Sequence, residues 1–266
     1  MEMETVKGKT FLRQMRSLVG LSFLELWRRN DIFALLVLAL AVMAPLSMAT
    51  PFGAHGASRY MDEAALLLIW GFSLFISLGA GARLFPPEFE SRTVYPLFSK
   101  PISRGRLLFG KYLGAVAASW SALALFYALF AGSMLLRGAS LSVELFEAAV
   151  LHFAFVALAV SISLLGSLAV TPSANLTLSA IVLASMFFFG RKLPDYAASA
   201  PAPASWLANI AYAVAPHAEF FDMRQRMIHG WGAVDGCVML AVLGYAAVYS
   251  GACLALAALV LKRKRI

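Results

Sequence analysis

Six stretches of this chain are apolar over a length that reaches across a lipid bilayer, and no water-soluble fold could hide them all. They run at about 32–49, 64–82, 112–136, 145–170, 176–190 and 236–261, where crossing the hydrocarbon needs about 20 residues. The fifth is the shortest and starts between Pro172 and Leu176. Composition agrees: 61% of the residues are hydrophobic and 14% charged, against roughly half and a quarter in a soluble domain. Mean hydropathy is +0.78. With so little polar surface, most of the exterior must face lipid. The expectation is an all-α integral membrane protein with six transmembrane helices.

Charge orients those helices. The segments on the side of the two termini carry 16 Lys and Arg, and the opposite segments carry 6. Lys and Arg favour cytoplasmic loops, so both termini are expected in the cytoplasm. The net charge of +8 is thereby read as membrane orientation and not as a nucleic-acid surface. Lys262-Arg263-Lys264-Arg265 directly follows the last stretch and reads as a lipid-headgroup anchor. About thirty residues precede the first stretch and no small-residue cleavage site follows it, so it is not read as a cleavable signal peptide.

The stretches hold almost no ionisable groups. A carrier driven by protons or ions needs charge near the bilayer midplane. Here Glu144 and Glu147 sit at one edge, and His152 is the only titratable group about two turns inside; a packed, hydrogen-bonded role suits it better than a proton relay. Cys237 and Cys253 are 16 residues apart in one stretch, about 24 Å on a helix, too far to pair. The four His are scattered, so no metal site is expected.

Outside the bilayer, residues 5–30 place Phe11, Met15, Leu18, Leu21 or Ser22, and Leu26 at helical spacing, with Lys9, Arg13, Arg16 and Arg28 largely on other faces. This pattern reads as a basic amphipathic helix lying in the cytoplasmic interface. In 83–111, Pro87 suits a first helical position, Glu88 and Glu90 complement the helix dipole, and Pro96 halts the helix. A short helix is predicted at 87–95, projecting Phe89, Arg92 and Tyr95. Gly105 to Lys111 imitates a phosphate loop, but Tyr112 replaces the magnesium-binding hydroxyl and no strand precedes it. Nucleotide binding by this chain is rejected. A second helix is expected at 206–215, capped by Ser205 and ended by Pro216, with Trp206, Ile210 and Val214 on one apolar face.

The 83–111 segment resembles a known family. Glu88-x-Glu90-x-x-Thr93, Leu97-x-Ser99-x-Pro101-x-Ser103-Arg104 and Leu108-x-Gly110-Lys111-x-x-Gly114 are similar to the signature of ABC-2 type transporter permeases, with Arg92 where the family has Gly. Pro216-His217-x-Glu219-x-Phe221-Asp222-x-Arg224 is similar to a stretch of the subgroup linked to multicopper-enzyme maturation. The resemblance implies one transmembrane domain over residues 1–266: an interfacial helix, six spans, a cytoplasmic coupling helix at 87–95, and a helical external region at 191–235. It implies a bacterial inner-membrane homodimer or pseudo-symmetric heterodimer, with no catalytic chemistry and no cofactor of its own. ATP and magnesium would sit on a separate cytoplasmic ATPase dimer. Membrane lipids and a periplasmic partner complete the expected contacts.

By that resemblance Glu88, Phe89, Glu90, Arg92, Thr93 and Tyr95 form the docking surface. Pro101, Ser103, Arg104, Gly110 and Lys111 form the loop motif, and Trp206, Pro216, Phe221, Asp222 and Arg224 mark the external region. Ser73, Ser77, Ser119, Ser121, Tyr127, Ser161, Ser163 and Ser167 are polar candidates for a path, though packing explains them more simply. Three alternatives stay open: an intramembrane enzyme pairing His152 with Ser250 or Ser167, a stand-alone carrier or channel, and an ABC-type complex that passes motion to a partner without moving a solute.

Overall fold

The computed structural model describes residues 2–28, 37, 38, 41, 57–86 and 104–263. Most of the first predicted span lies outside the described residues; Val37, Leu38 and Ala41 of it are helical. The predicted helix at 87–95, with Glu88, Phe89, Glu90, Arg92, Thr93 and Tyr95, lies outside them too, as do Pro101 and Ser103.

Lipid offers no hydrogen bonds, so each segment must satisfy its own backbone, and among the described residues the chain does so with helices alone. These are α1 (Glu2–Trp27), α2 (Ala57–Ala82), α3 (Arg104–Leu136), α4 (Val143–Ser167), α5 (Pro172–Phe189), α6 (Leu193–Ser199), α7 (Ala204–Val214), α8 (Arg224–His229) and α9 (Gly236–Arg263). Short 3₁₀ turns occupy Gly190–Lys192 and Ala218–Phe221. Five helical runs are long and apolar enough to cross a membrane: Tyr60–Ala82, Arg104–Leu136, Val143–Ser167, Pro172–Ser199 and Gly236–Arg263.

Two boundaries differ from expectation, each for a local reason. α3 begins at Arg104, well before residue 112, and has 33 residues. That is about 50 Å of helix against a hydrocarbon core of about 30 Å. That excess leaves room for its basic first turns to extend past the hydrocarbon, and Arg104, Gly110 and Lys111 are helical residues and not part of a loop. α5 starts at Pro172, where proline costs no helix hydrogen bond.

In the 190–235 region, α7 starts at Ala204 with Pro203 at its N-cap. Ser205 does not cap it: its hydroxyl donates to the Ala197 carbonyl at 2.6 Å, tying α7 to α6. Pro216 does end α7, since Ala215 before it is extended, with ψ of 146°.

The bundle has two ends. One, the near end, holds α1, the starts of α3 and α5, and the finishing turns of α2, α4 and α9. The other, the far end, holds residues 190–235. Buried side chains form three groups along this axis. Leu84, Phe85, Leu108, Tyr112 and Leu164 pack at the near end. Leu66, Phe126, Phe130 and Val156 join α2, α3 and α4. Trp70, Phe155, Leu158, Leu183 and Phe221 join α2, α4 and α5 to the far-end shell. α4 contributes to all three, as suits a helix that is apolar on every side.

α1 packs on the first turns of α3 through Leu18, Ser22 and Leu26, all buried, while Leu21 turns outward at 67% exposure. Ser22 rather than Leu21 takes the inner position because α3 presents Gly114 there. A Cβ on Gly114 would lie 2.5 Å from the Ser22 Cβ and 3.0 Å from the Val19 carbonyl. Two small residues let the backbones meet, as between helices in a membrane. Gly114→Leu should therefore separate α1 from α3 and destabilise the protein by about 1–3 kcal/mol. Gly132→Ala, where the added methyl meets nothing within 4 Å, should be neutral or slightly stabilising. Thermal unfolding of the detergent-purified variants checks both.

Candidate functional site

At the near end, two cations fasten the first turns of α3 to the ends of α2 and α9. Lys111 is 5% exposed, and a buried ammonium persists only with partners. Its Nζ donates to the Leu84 carbonyl at 2.7 Å and lies 5.1 Å from the centre of the Phe85 ring. Leu84 follows the last turn of α2, where carbonyls lack helical partners. Two turns earlier on α3, Arg104 Nη1 donates to the carbonyls of Leu261 at 2.9 Å and Lys262 at 3.2 Å, in the final turn of α9. A cation there complements both the open carbonyls and the helix dipole. Gly110, the third described residue of the motif, serves α1 instead: its Cα faces Leu18, whose Cβ would lie 2.9 Å from an added methyl.

Deeper in the bundle, His152 is fully buried and bonded on both sides. Ser73 Oγ lies 2.7 Å from Nε2 and Tyr127 OH lies 3.1 Å from Nδ1. The proton order follows from counting donors. Ser73 donates its one hydroxyl proton to the Trp70 carbonyl at 3.0 Å, so Nε2–H must donate to Ser73 Oγ. Nδ1 then accepts from the Tyr127 hydroxyl, and every group is satisfied by a neutral imidazole. Trp70 stacks on the ring, with centroids 4.4 Å apart. This network joins α2, α3 and α4. It also removes the intramembrane-enzyme pairing: Ser167 donates to the Leu164 carbonyl at 2.7 Å, and His152 has Ser73 and Tyr127 as its partners, not Ser250. Ser73 itself is buried with its proton already placed, which is unlike an activated nucleophile.

The other path candidates are also bonded within the helices. Ser77, Ser121 and Ser161 donate to carbonyls of their own helices, and Ser163 donates to the Leu78 carbonyl of α2 at 2.7 Å. Ser119 Oγ alone of the set has no partner among the described residues. Asn175 escapes sequence reasoning because it falls at the very edge of the fifth apolar stretch. It is buried on α5, where Nδ2 donates to the Ser163 carbonyl at 2.7 Å and Oδ1 accepts from Ser179 at 3.2 Å. An amide one turn after Pro172 is the signal that marks it.

At the far end, the structure brings four of the five marked residues together. Phe221 is buried, with ring centroids 5.8 Å from Phe155 and 6.4 Å from Tyr245. Arg224 closes on Asp222 through Nε at 2.9 Å and Nη2 at 3.1 Å, and lies 4.8 Å over the Phe187 ring. Pro216 accepts from Ala218 N at 2.9 Å, opening the turn that carries Phe221 inward. Trp206 stands apart: it is 73% exposed on the outer face of α7 with Leu207, Ile210 and Val214. Glu63 and Glu147 tie the shell to α2 and α4, accepting from Gln225 Nε2 at 3.0 Å and Val234 N at 2.9 Å.

The His152 network sets a measurable expectation. His152→Ala should cost about 2–4 kcal/mol, combining a cavity with two orphaned hydroxyls. In a double-mutant cycle with Tyr127→Phe, a coupling of about 0.5–2 kcal/mol should appear in unfolding of the purified protein.

Comparison with known proteins bears on what this arrangement is. No curated protein matches the chain. A family model described as ABC-2 family transporter protein matches residues 25–191, more than half of the chain, from α1 to the 3₁₀ turn after α5. With the five apolar helical runs, that match makes this chain a multi-pass membrane protein that belongs to the ABC-2 transporter family.

Proposed function

We propose that the chain is the permease subunit of an ABC transporter of the bacterial inner membrane, with the near end and both termini in the cytoplasm. It works with a separate cytoplasmic ATPase dimer, as ABC-2 permeases generally do, and with a second permease copy. ATP and magnesium belong to the ATPase, and this chain binds neither them nor nucleic acid. Its task is to turn ATP-driven motion into movement of a substrate, in the export direction.

The observation that carries the reading is the pair of cations that fasten the first turns of α3 to the ends of α2 and α9. A docking helix transmits force only if its supports are stiff. Here Lys111 ties the start of α3 to the end of α2, and Arg104 ties it to the end of α9. A push at 87–95 is thereby delivered to α2, α3 and α9 together, as rigid-body switching requires. α2 and α3 run to the far end, where Arg137 pairs with Asp62.

One observation favours a second reading, in which motion is passed to a periplasmic or membrane partner without transport. Nearly all the hydroxyls offered as path residues are bonded to backbone or to His152. Both readings need the same docking contact.

Expressed with its ATPase, the wild-type chain should co-purify with it and stimulate ATP hydrolysis. Glu90→Arg with Phe89→Ala should abolish both, and retention of the ATPase by that variant would refute the docking assignment. Lys111→Met leaves the docking residues intact, so the ATPase should still co-purify. Its stimulation should fall about tenfold, the scale of a lost coupling of 1–2 kcal/mol.

A further inference from the structure

The far-end shell forms a partly open cavity of about 360 Å³, within the roughly 300–1,000 Å³ of small-ligand sites. It lies between α4, α7, α8 and α9, and much of its wall is apolar, with Leu151, Met223, Val238, Met239 and Val242. Its charged groups carry both signs. Asp222 also lines it, but Arg224 already holds both carboxylate oxygens.

Glu219 is the unusual member. It lines the cavity at 4% exposure. Its Oε1 is bonded to His217 Nδ1 at 3.0 Å, and its Oε2 is buried with no hydrogen-bond partner among the described residues. The carboxylate fits closely against the backbone: a Cβ on Gly190 would lie 2.6 Å from each of its oxygens. An acceptor buried this way calls for a donor. On the opposite sign, Arg226 uses Nε on the Gly232 carbonyl at 3.0 Å. Its terminal nitrogens, and the whole guanidinium of Arg191, have no protein partner among the described residues; Arg191 is exposed and Arg226 half-buried.

We propose that this cavity binds the zwitterionic head of a membrane lipid, a phosphodiester that also carries a primary ammonium. Arg191 and Arg226 hold the phosphate, the Glu219 side chain turns to bring its buried Oε2 to the ammonium, and the glycerol and chain roots lie along Val238 and Val242. A simple anion would leave Glu219 facing it, and a simple cation would face two arginines. One group bearing both signs satisfies all three. The source is the bilayer, because the same shell turns Trp206, Leu207, Ile210 and Val214 outward, each more than half exposed. Such a face belongs at the level of the lipid heads. The site needs only this chain and stands apart from ATPase coupling.

The test uses the full chain, purified in detergent and stripped of lipid, with binding read by native mass spectrometry. The probes are short-chain phosphatidylethanolamine, short-chain phosphatidylglycerol and soluble glycerophosphoethanolamine. Wild type should prefer phosphatidylethanolamine to phosphatidylglycerol about tenfold, about 1.4 kcal/mol, and should bind the soluble head poorly. Glu219→Gln should erase the preference while phosphatidylglycerol still binds. Arg191→Ala, a change at an exposed residue that leaves the fold intact, should weaken both lipids. The proposal fails if wild type binds the two lipids equally, if the preference survives Glu219→Gln, or if Arg191→Ala changes nothing. It also fails in its lipid source if glycerophosphoethanolamine binds as tightly as the lipid.

Discussion

Helices in lipid gain nothing from burying apolar surface against one another, since the hydrocarbon is as apolar as the side chains; close contact and internally satisfied polar groups must hold them together. α4 concentrates both. His152 reaches α2 through Ser73 and α3 through Tyr127. Three turns further on, Ser163 donates to Leu78 of α2 and its carbonyl accepts from Asn175 of α5. Gly166 then leaves room for the Asn175 side chain, whose Oδ1 would lie 2.0 Å from an added Cβ. The rest of the bundle leans on that column, and both ends are mounted on helices that it fixes.

The two ends are built on opposite physical terms. At the near end, cations capture carbonyls that helix ends leave open: Lys111 on Leu84, Arg104 on Leu261 and Lys262. At the far end, aromatic packing dominates, with His217 set among Tyr212, Phe220 and Tyr245 and Phe221 driven between Phe155 and Tyr245. Carboxylates then fasten the shell to the spans, Glu63 to Gln225 and Glu147 to Val234. In the proposed reading, the near end receives motion through stiff polar contacts and the far end rides on the spans as a packed cap.

Much of this architecture is legible in the amino-acid sequence. Unbroken apolar length marks the spans at 64–82, 145–170 and 236–261 to within a few residues of their helices, because a bilayer sets the length directly. The motif at Leu108 to Gly114 points to the family that the family match confirms. Less visible is what each motif residue does. Gly110 falls in the predicted loop and Gly114 in the first turn of the predicted span, and nothing in the string of letters marks them as the seat of α1. Arg104 and Lys111 read as generic basic residues at a membrane edge, yet they bind named carbonyls 157 and 27 positions away.

The sequence by itself determined that this chain lives in a membrane as a set of helices, where three of the spans begin and end to within a few residues, and to which family it belongs. Those properties depend on local composition and spacing. The choice of Ser22 over Leu21 against α3, the tautomer of His152, and the burial of Glu219 beside Gly190 were decided only by tertiary structure. Each depends on a partner far along the chain whose distance no local pattern encodes. In a membrane, where the hydrophobic pattern points everywhere outward, such partners are what make one packing out of many.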